Sequence, residues 1–388
     1  MPLAPLFAFS LVVHALLGWR LLPDLAATAG GAAWLLGLWI VLSTLLMPMG
    51  MVALRFARAP LAHVLTWAGL LCMGVCSSLF ALMVLRELLL LVLSALQWGW
   101  PGLADREAAR NLTVLLIPPL ALAMTVIGFW NARRTAAIVE VDVPIADLPQ
   151  ALVGFRIAQI SDIHVGPTIK QAYLERIVKR VNSLNADLVA ITGDLVDGPV
   201  DSLGPLVDGL QNLRSTYGTY FVTGNHEYYS GASGWIEKLR SLGIQVLMNE
   251  HQVLDHAGNS PGAASAKVVV AGVTDFHAHH FDASHQSSPL QALAGAPPGF
   301  KLLLAHQPRS AAAAASAGFD LQLSGHTHGG QFWPWGHFVR FQQPFTAGLH
   351  KLQDLWIYTS RGTGYWGPPK RFGAPSEITQ LRLVRARS

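Results

Sequence analysis

The sequence predicts two kinds of structure in series: a multi-span α-helical membrane region over residues 1–131, then an α/β or α+β domain over residues 132–388. Three observations carry that expectation. Hydrophobic residues make up 52% of the chain and charged ones only 13%, with the apolar ones concentrated in the first 131 positions. From about residue 136, short β-rich runs alternate with amphipathic stretches and Gly/Pro turns. Five of those runs end in small clusters of carboxylate, histidine and asparagine.

A bilayer core takes about 20 apolar residues per helix. Residues 3–22, 31–54, 61–85 and 112–130 qualify, which gives four spans. The stretch from Arg86-Glu87 to Trp100 either extends the third span to about residue 98 or lies at the interface, and a fifth span is the rival count. The N-terminus lacks the positive region of a signal peptide, so the first span is expected to be retained. With four spans, Arg55, Arg58, Arg133 and Arg134 share a side with both termini, against Arg20, Arg106 and Arg110 opposite. Cationic loops stay inside, which points to an inner (plasma) membrane protein with residues 132–388 in the cytoplasm. His14 and His63 are expected to serve packing or interface placement, and the spans are too poor in polar groups for a transporter. Cys72 and Cys76 stand at helical i, i+4 spacing, suited to apolar packing and unable to bridge while the helix is intact.

A net charge of +4 fits juxtamembrane arginines, and no helix-turn-helix, RNA-binding or zinc-finger pattern is present, so nucleic acid is not an expected partner. In the second part, residues 171–184 and 234–242 are amphipathic and residues 311–317 are alanine-rich, all expected helices. Residues 257–266 read as a surface turn.

The five clusters are Asp162-Ile163-His164, Gly193-Asp194, Gly224-Asn225-His226-Glu227, His306, and Gly325-His326-Thr327-His328. Strand ends hold side chains rigidly and bring distant residues to one rim of a sheet. The candidate metal ligands are Asp162, His164, Asp194, Asn225, His306, His326 and His328. Such nitrogen and oxygen donors suit Mn, Fe or Zn better than Ca or Mg. Seven ligands exceed the needs of one ion and match two ions sharing a carboxylate. Two divalent ions against two aspartates leave about +2, enough for a hydroxide and a phosphodiester anion. His226 is not needed as a ligand and reads as an acid for the leaving oxygen or a stabiliser of charge on the phosphoryl group, with Glu227 holding the imidazole. No cysteine occurs after residue 131, and the His-Glu-x-x-His pattern of zinc proteases is absent.

In this order the motifs resemble the calcineurin-like metallophosphoesterase superfamily. The strings Gln159-Ile160-Ser161-Asp162-Ile163-His164, Ile191-Thr192-Gly193-Asp194-Leu195-Val196-Asp197-Gly198 and residues 324–331 resemble its membrane-associated branch similar to YkuE and YaeI. So do Leu304-Ala305-His306-Gln307-Pro308 and Ser360-Arg361-Gly362. The likeness covers roughly residues 138–383, and the helical region before it resembles transmembrane proteins with a metallophosphoesterase domain. It implies an α+β fold, a four-layer αββα sandwich with metals at the strand ends. It also implies that Asp162, His164 and His328 hold one ion and Asn225, His306 and His326 the other. Asp194 bridges them and His226 is the catalytic histidine. Many members have Asp where this chain has Glu227, which would lengthen a His226–Glu227 dyad by one methylene.

The expected activity is that of a phosphodiesterase, with phosphomonoesters as further substrates, acting on a lipid or lipid-linked headgroup through attack of metal-bound hydroxide. The aromatic string Phe332-Trp333-Pro334-Trp335, then Phe338, Phe341 and Phe345, reads either as core or as an apolar rim that dips toward a bilayer. Arg361, Lys370 and Arg371 are candidate phosphate contacts or a solvated basic loop. Residues 275–285 carry four histidines, which suit a flap, a solvated loop or an accessory metal site. The rival functions are a phosphodiesterase of soluble nucleotides and a catalytically silent metal-binding sensor.

Overall fold

The structure is a computed structural model that describes residues 3–58, 60–100, 105–258 and 265–386, with the side chains of Leu54 and Arg55 apart. Residues 259–264 of the expected surface turn lie outside the described residues. The chain forms two compact units, residues 1–131 with 367–372 and residues 132–366 with 373–388.

The helical unit consists of α1 (Leu3–Thr28), α2 (Gly30–Phe56), α3 (Leu61–Gly99) and α4 (Arg106–Arg133). All four are long and apolar enough to cross a membrane. Their outward faces are apolar too: Trp34 is 84% and Leu35 73% exposed, which water would penalise and lipid would not. The stretch after Arg86 continues α3 without a break, giving 39 residues. At 1.5 Å per residue that helix is about 58 Å long, well beyond the ~30 Å of a hydrocarbon core.

Polar groups inside this unit are paired. Asp24, beyond the expected end of the first span, is buried on α1 and forms ion pairs with Arg86 and Arg110. Glu87 pairs with Arg20 and, at 2.9 Å, with Arg86. His14 is fully buried between Ser10 O and Ser43 Oγ, each at 2.8 Å, which supports the packing role expected of it. Lys370 comes from the other end of the sequence. Its ammonium donates to Gly74 O (2.7 Å), Ser78 Oγ and Thr125 Oγ1 (3.3 Å).

The second unit is built on twelve strands. They are β1 (Ala137–Ile145), β2 (Arg156–Ile160), β3 (Leu188–Ile191), β4 (Thr219–Phe221), β5 (Gln245–Val246) and β6 (Glu250–His256), then β7 (Ala266–Gly272), β8 (Phe300–Leu304), β9 (Leu321–Ser324), β10 (Gly348–Leu352), β11 (Leu355–Thr359) and β12 (Glu377–Arg385). One sheet runs β1-β12-β2-β3-β4-β5, the other β10-β11-β9-β8-β7-β6. Strands β2 to β5 are mutually parallel, as are β7, β8, β9 and β11.

Alternation along the strands builds the layers. In β3, Leu188 and Ala190 enter a core shared with Leu302 and Leu304 of β8, which is the sheet-on-sheet interface. Val189 and Ile191 face the other way, onto helices α5 (Gln171–Asn182), α6 (Val200–Val207) and α8 (Ala232–Ser241), the last of which follows the short α7 (Asn225–Ser230). Behind the second sheet, Leu303 packs with α9 (Pro289–Ala292) and α10 (Ala311–Ala317). The result is a four-layer αββα sandwich of the α+β class. Helices α5, α8 and α10 fall on the three stretches where the sequence predicts them.

Candidate metal centre

All five motifs lie just past the carboxyl ends of parallel strands: β2, β3 and β4 in one sheet, β8 and β9 in the other. Open α/β sheets gather ligands at that rim. The backbone there is unusual. Asp162 (φ 53°), His164 (57°), Asp194 (51°), His326 (70°) and His328 (51°) all adopt the left-handed region. That conformation costs roughly 1–2 kcal/mol for an L-residue, and Asp and His tolerate it better than most. It persists because the loops brace one another: Asp162 N–H donates to Gly193 O (3.0 Å) and His164 N–H to Asp194 O (3.1 Å). Three motif glycines are required by contact: a Cβ on Gly193 would collide with Gly224 N and His306 Nδ1. A Cβ on Gly224 would collide with Asp194 Oδ1, and one on Gly325 with Ser161 Oγ and Asp162 Oδ2.

The donors converge. Backbone amides hold one oxygen of each aspartate: His326 N–H donates to Asp162 Oδ1 and His226 N–H to Asp194 Oδ1, both at 2.9 Å. Asp162 Oδ1 is also 3.5 Å from His328 Nε2. The remaining oxygen, Asp194 Oδ2, lies 3.1 Å from His306 Nε2, 4.0 Å from His164 Nε2 and 3.9 Å from His226 Nε2. His164 Nε2 and His328 Nε2 face each other at 3.0 Å, and His306 Nε2 and His326 Nδ1 at 3.2 Å. The far nitrogens are committed elsewhere. His306 Nδ1–H donates to Thr192 O (2.7 Å) and His164 Nδ1–H to Asp197 Oδ1 (3.0 Å), leaving each Nε2 lone pair for the centre.

Three sets of donors lie close enough to hold an ion: Asp162/His164/His328, His164/Asp194/His226 and Asp194/His306/His326. Asp162 Oδ2 and Asn225 Oδ1 are buried acceptors with no protein donor. Such atoms are costly unless something cationic meets them. Paired nitrogens, orphaned oxygens and a mixed N/O donor set fit divalent metal.

Electrostatics agree. Burial raises the Asp162 carboxyl above its ordinary value. Burial acts the same way on Asp194 and Asp197, but neighbouring histidines outweigh it and hold both well below the carboxylate range: His306 and His226 for Asp194, His164 and His226 for Asp197. His326 is pushed down to about 3 by burial and by His306. His226 is opposed by burial yet raised to about 9, chiefly by Asp194 and Asp197. Asp194 and Asp197 thus favour positive charge at His226, while burial opposes it at His326.

One expectation is overturned. Glu227 does not hold the His226 imidazole. It is fully buried and accepts from the backbone N–H groups of Gly224 (2.7 Å), Asp194 (3.0 Å) and Leu195 (2.8 Å), clamping two motif loops together. The imidazole partner is Asp197, whose Oδ1 accepts from His226 Nδ1 at 2.6 Å. Residue 227 is the third residue of helix α7, so its side chain turns back to the amides of its own N-terminus. Asp197 was missed as a partner, although it stands in the same string three positions after Asp194.

The outlying candidates separate. Arg361 pairs with Glu377 (2.9 Å) while 37% of its side chain remains exposed. Arg371 and Lys370 are buried in the helical unit, where Arg371 N–H donates to Gly128 O (2.8 Å), and so neither forms a solvated basic loop. In the aromatic string, Phe332 is buried and Phe345 packs against a core, whereas Trp335, Phe338 and Phe341 are exposed. In the histidine-rich loop, His277 Nδ1 meets Gln307 Nε2 and His285 Nδ1 meets the Tyr228 hydroxyl, each at 3.0 Å. Among the described residues, that loop contributes to none of the close donor sets.

Comparison with known proteins follows the same residues. The sequence model for the calcineurin-like phosphoesterase family matches residues 155–330. A Bos taurus protein named "Transmembrane protein with metallophosphoesterase domain" is 38% identical over 314 residues, 76% of this chain and 70% of its own length. A Danio rerio protein of the same name is 38% identical over 283 residues, 71% of this chain and 63% of its own length. The Bacillus subtilis protein "Uncharacterized metallophosphoesterase YkuE" is 29% identical over 243 residues, 61% of this chain and 81% of its own. The chain belongs to the calcineurin-like metallophosphoesterase family.

Proposed function

We propose that this chain is a membrane-anchored, two-metal phosphodiesterase acting on a lipid or lipid-linked headgroup. Membership of the family implies a phosphoric ester hydrolase that uses divalent metal. The observation that carries the two-ion reading is Asp194 Oδ2, approached by nitrogens from two separate donor sets. In this reading Asp162, His164 and His328 hold one ion, Asn225, His306 and His326 the other, and Asp194 serves both. Mn, Fe or Zn suits such donors. When bound, two such ions lower the pKa of a water and offset the charge of the phosphoryl oxygens.

The chain's own groups supply the rest. A water oxygen bonds to phosphorus and gives up a proton to solvent, the ester P–O bond breaks, and the departing oxygen takes a proton from His226 Nε2, which solvent then restores. Asp197 steadies the imidazole for that task through Nδ1–H, at 2.6 Å. Arg361, braced by Glu377, is the candidate cation for a second anionic group. The lipid part of the proposal is supported by the four apolar helices on the same chain and by exposed Trp335, Phe338 and Phe341. A cytoplasmic location for the second unit rests on the arginine count alone.

The test uses the full chain in detergent with Mn²⁺. It should hydrolyse bis-p-nitrophenyl phosphate and, in a panel of lipid extracts and nucleotides, favour the lipid. Preference for nucleotides would overturn the lipid half of the proposal, and no metal-dependent hydrolysis would overturn the whole. A reporter fused after Ser388 that works only outside the cytoplasm would reverse the topology.

A further inference from the structure

His226 is flanked by more aromatic surface than its orientation requires. Its ring meets Tyr229 edge-on at 5.3 Å and Trp366 edge-on at 5.7 Å. Phe281 extends the group, 5.6 Å from Tyr229. Tyr229 is 65% exposed, Phe281 53% and Trp366 44%. Two large rings beside one imidazole, and a third that packs on Tyr229, are left open to solvent, a costly surface unless a ligand covers it.

The group is built, not accidental. The Trp366 backbone is clasped by one buried side chain: Gln331 Oε1 accepts from Trp366 N–H (2.9 Å), and Gln331 Nε2 donates to Trp366 O (2.7 Å). Phe281 stands on the histidine-rich loop, which is pinned from two sides. The Tyr228 ring packs on Phe281 at 5.6 Å, and Thr274 Oγ1 donates to His285 O at 2.8 Å. The loop that the sequence marks for its histidines thus carries a phenylalanine to the site.

We infer that Tyr229, Phe281 and Trp366 form a subsite for an apolar leaving group. The inference rests on the proposed role of His226. A group that protonates the departing oxygen must lie next to whatever that oxygen carries away, and here that neighbourhood is aromatic on two sides of the imidazole. Aromatic rings reward an aryl ring or an acyl-bearing alcohol and offer little to a small polar one. The three residues set which phosphodiester is cleaved and at which ester bond.

The experiment measures kcat/KM of the full chain with Mn²⁺ on three diesters: bis-p-nitrophenyl phosphate, a micellar lysophospholipid and glycerophosphocholine. Phe281→Ala and Tyr229→Ala should each lower the ratio of apolar to polar substrate by about tenfold. A fall on the aryl arm or on the acyl arm identifies the source of the apolar group. Equal losses on all three substrates would make the rings purely structural, and no change would make them irrelevant; either overturns the inference. If the unaltered chain hydrolyses nothing, the phosphodiesterase reading fails and binding decides this one. Phenylphosphonate should then bind about tenfold more tightly than methylphosphonate and lose that advantage in Phe281→Ala. Equal affinities would overturn the subsite.

Discussion

Both units of this chain bury charge and imidazole among apolar neighbours, but they treat those groups differently. In the helical unit every buried polar side-chain atom among the described residues has a partner: Asp24 pairs with Arg86 and Arg110, His14 meets oxygens of Ser10 and Ser43, and Lys370 donates to Gly74, Ser78 and Thr125. At the strand ends of the sandwich, Asp162 Oδ2 and Asn225 Oδ1 have none, and imidazole nitrogens face one another at 3.0 and 3.2 Å. Five residues there also sit in left-handed backbone. A buried network that closes on itself holds helices together. One that stays open, and is strained as well, is arranged for something it must bind. The contrast separates architecture from chemistry.

Substitutions can break that contrast. The largest effect is expected for Asp194→Ala, which removes the carboxylate common to two donor sets; phosphodiester hydrolysis should fall at least about a thousandfold. Activity near normal in that variant would remove the basis for the two-ion site. His226→Ala should cost about a hundredfold to ten-thousandfold in turnover while leaving bound metal in place, since all seven proposed ligands remain in that variant. Loss of metal would show instead that His226 is a ligand. Asp197→Asn acts one step further out, on His164 and His226 together, and should weaken metal affinity about tenfold to a hundredfold. A titration with Mn²⁺ that leaves affinity unmoved would contradict this role. The smallest effect on turnover belongs to Arg86→Met in the closed network of the other unit. It should destabilise the chain by roughly 3 kcal/mol, seen in thermal unfolding, and leave turnover per folded molecule within about twofold. A specific loss of catalysis there would blur the distinction.

Much of this was legible in the sequence because it is local. Short apolar runs gave the strands, amphipathic spacing the helices, and each cluster stood immediately after its strand. What was not legible depends on residues distant in sequence. Asp197 serves His164 and His226, 33 and 29 positions away, so only the packing of three loops reveals it. The role of Glu227 went astray because adjacency to His226 suggested a dyad, whereas the N-terminus of α7 turns the carboxylate back onto amides. Strand β12 inserts between β1 and β2, parallel to one and antiparallel to the other, and no local pattern encodes that order. Lys370 reads as a phosphate contact or part of a solvated basic loop because its partners, Gly74 and Thr125, are more than two hundred positions earlier.

Metal content tests the central claim most directly. Elemental analysis of the full chain, purified with Mn²⁺ and freed of excess ion, should find about two ions per chain, and one or fewer in Asp194→Ala. A single ion in the unaltered chain, or two retained without Asp194, would contradict the account.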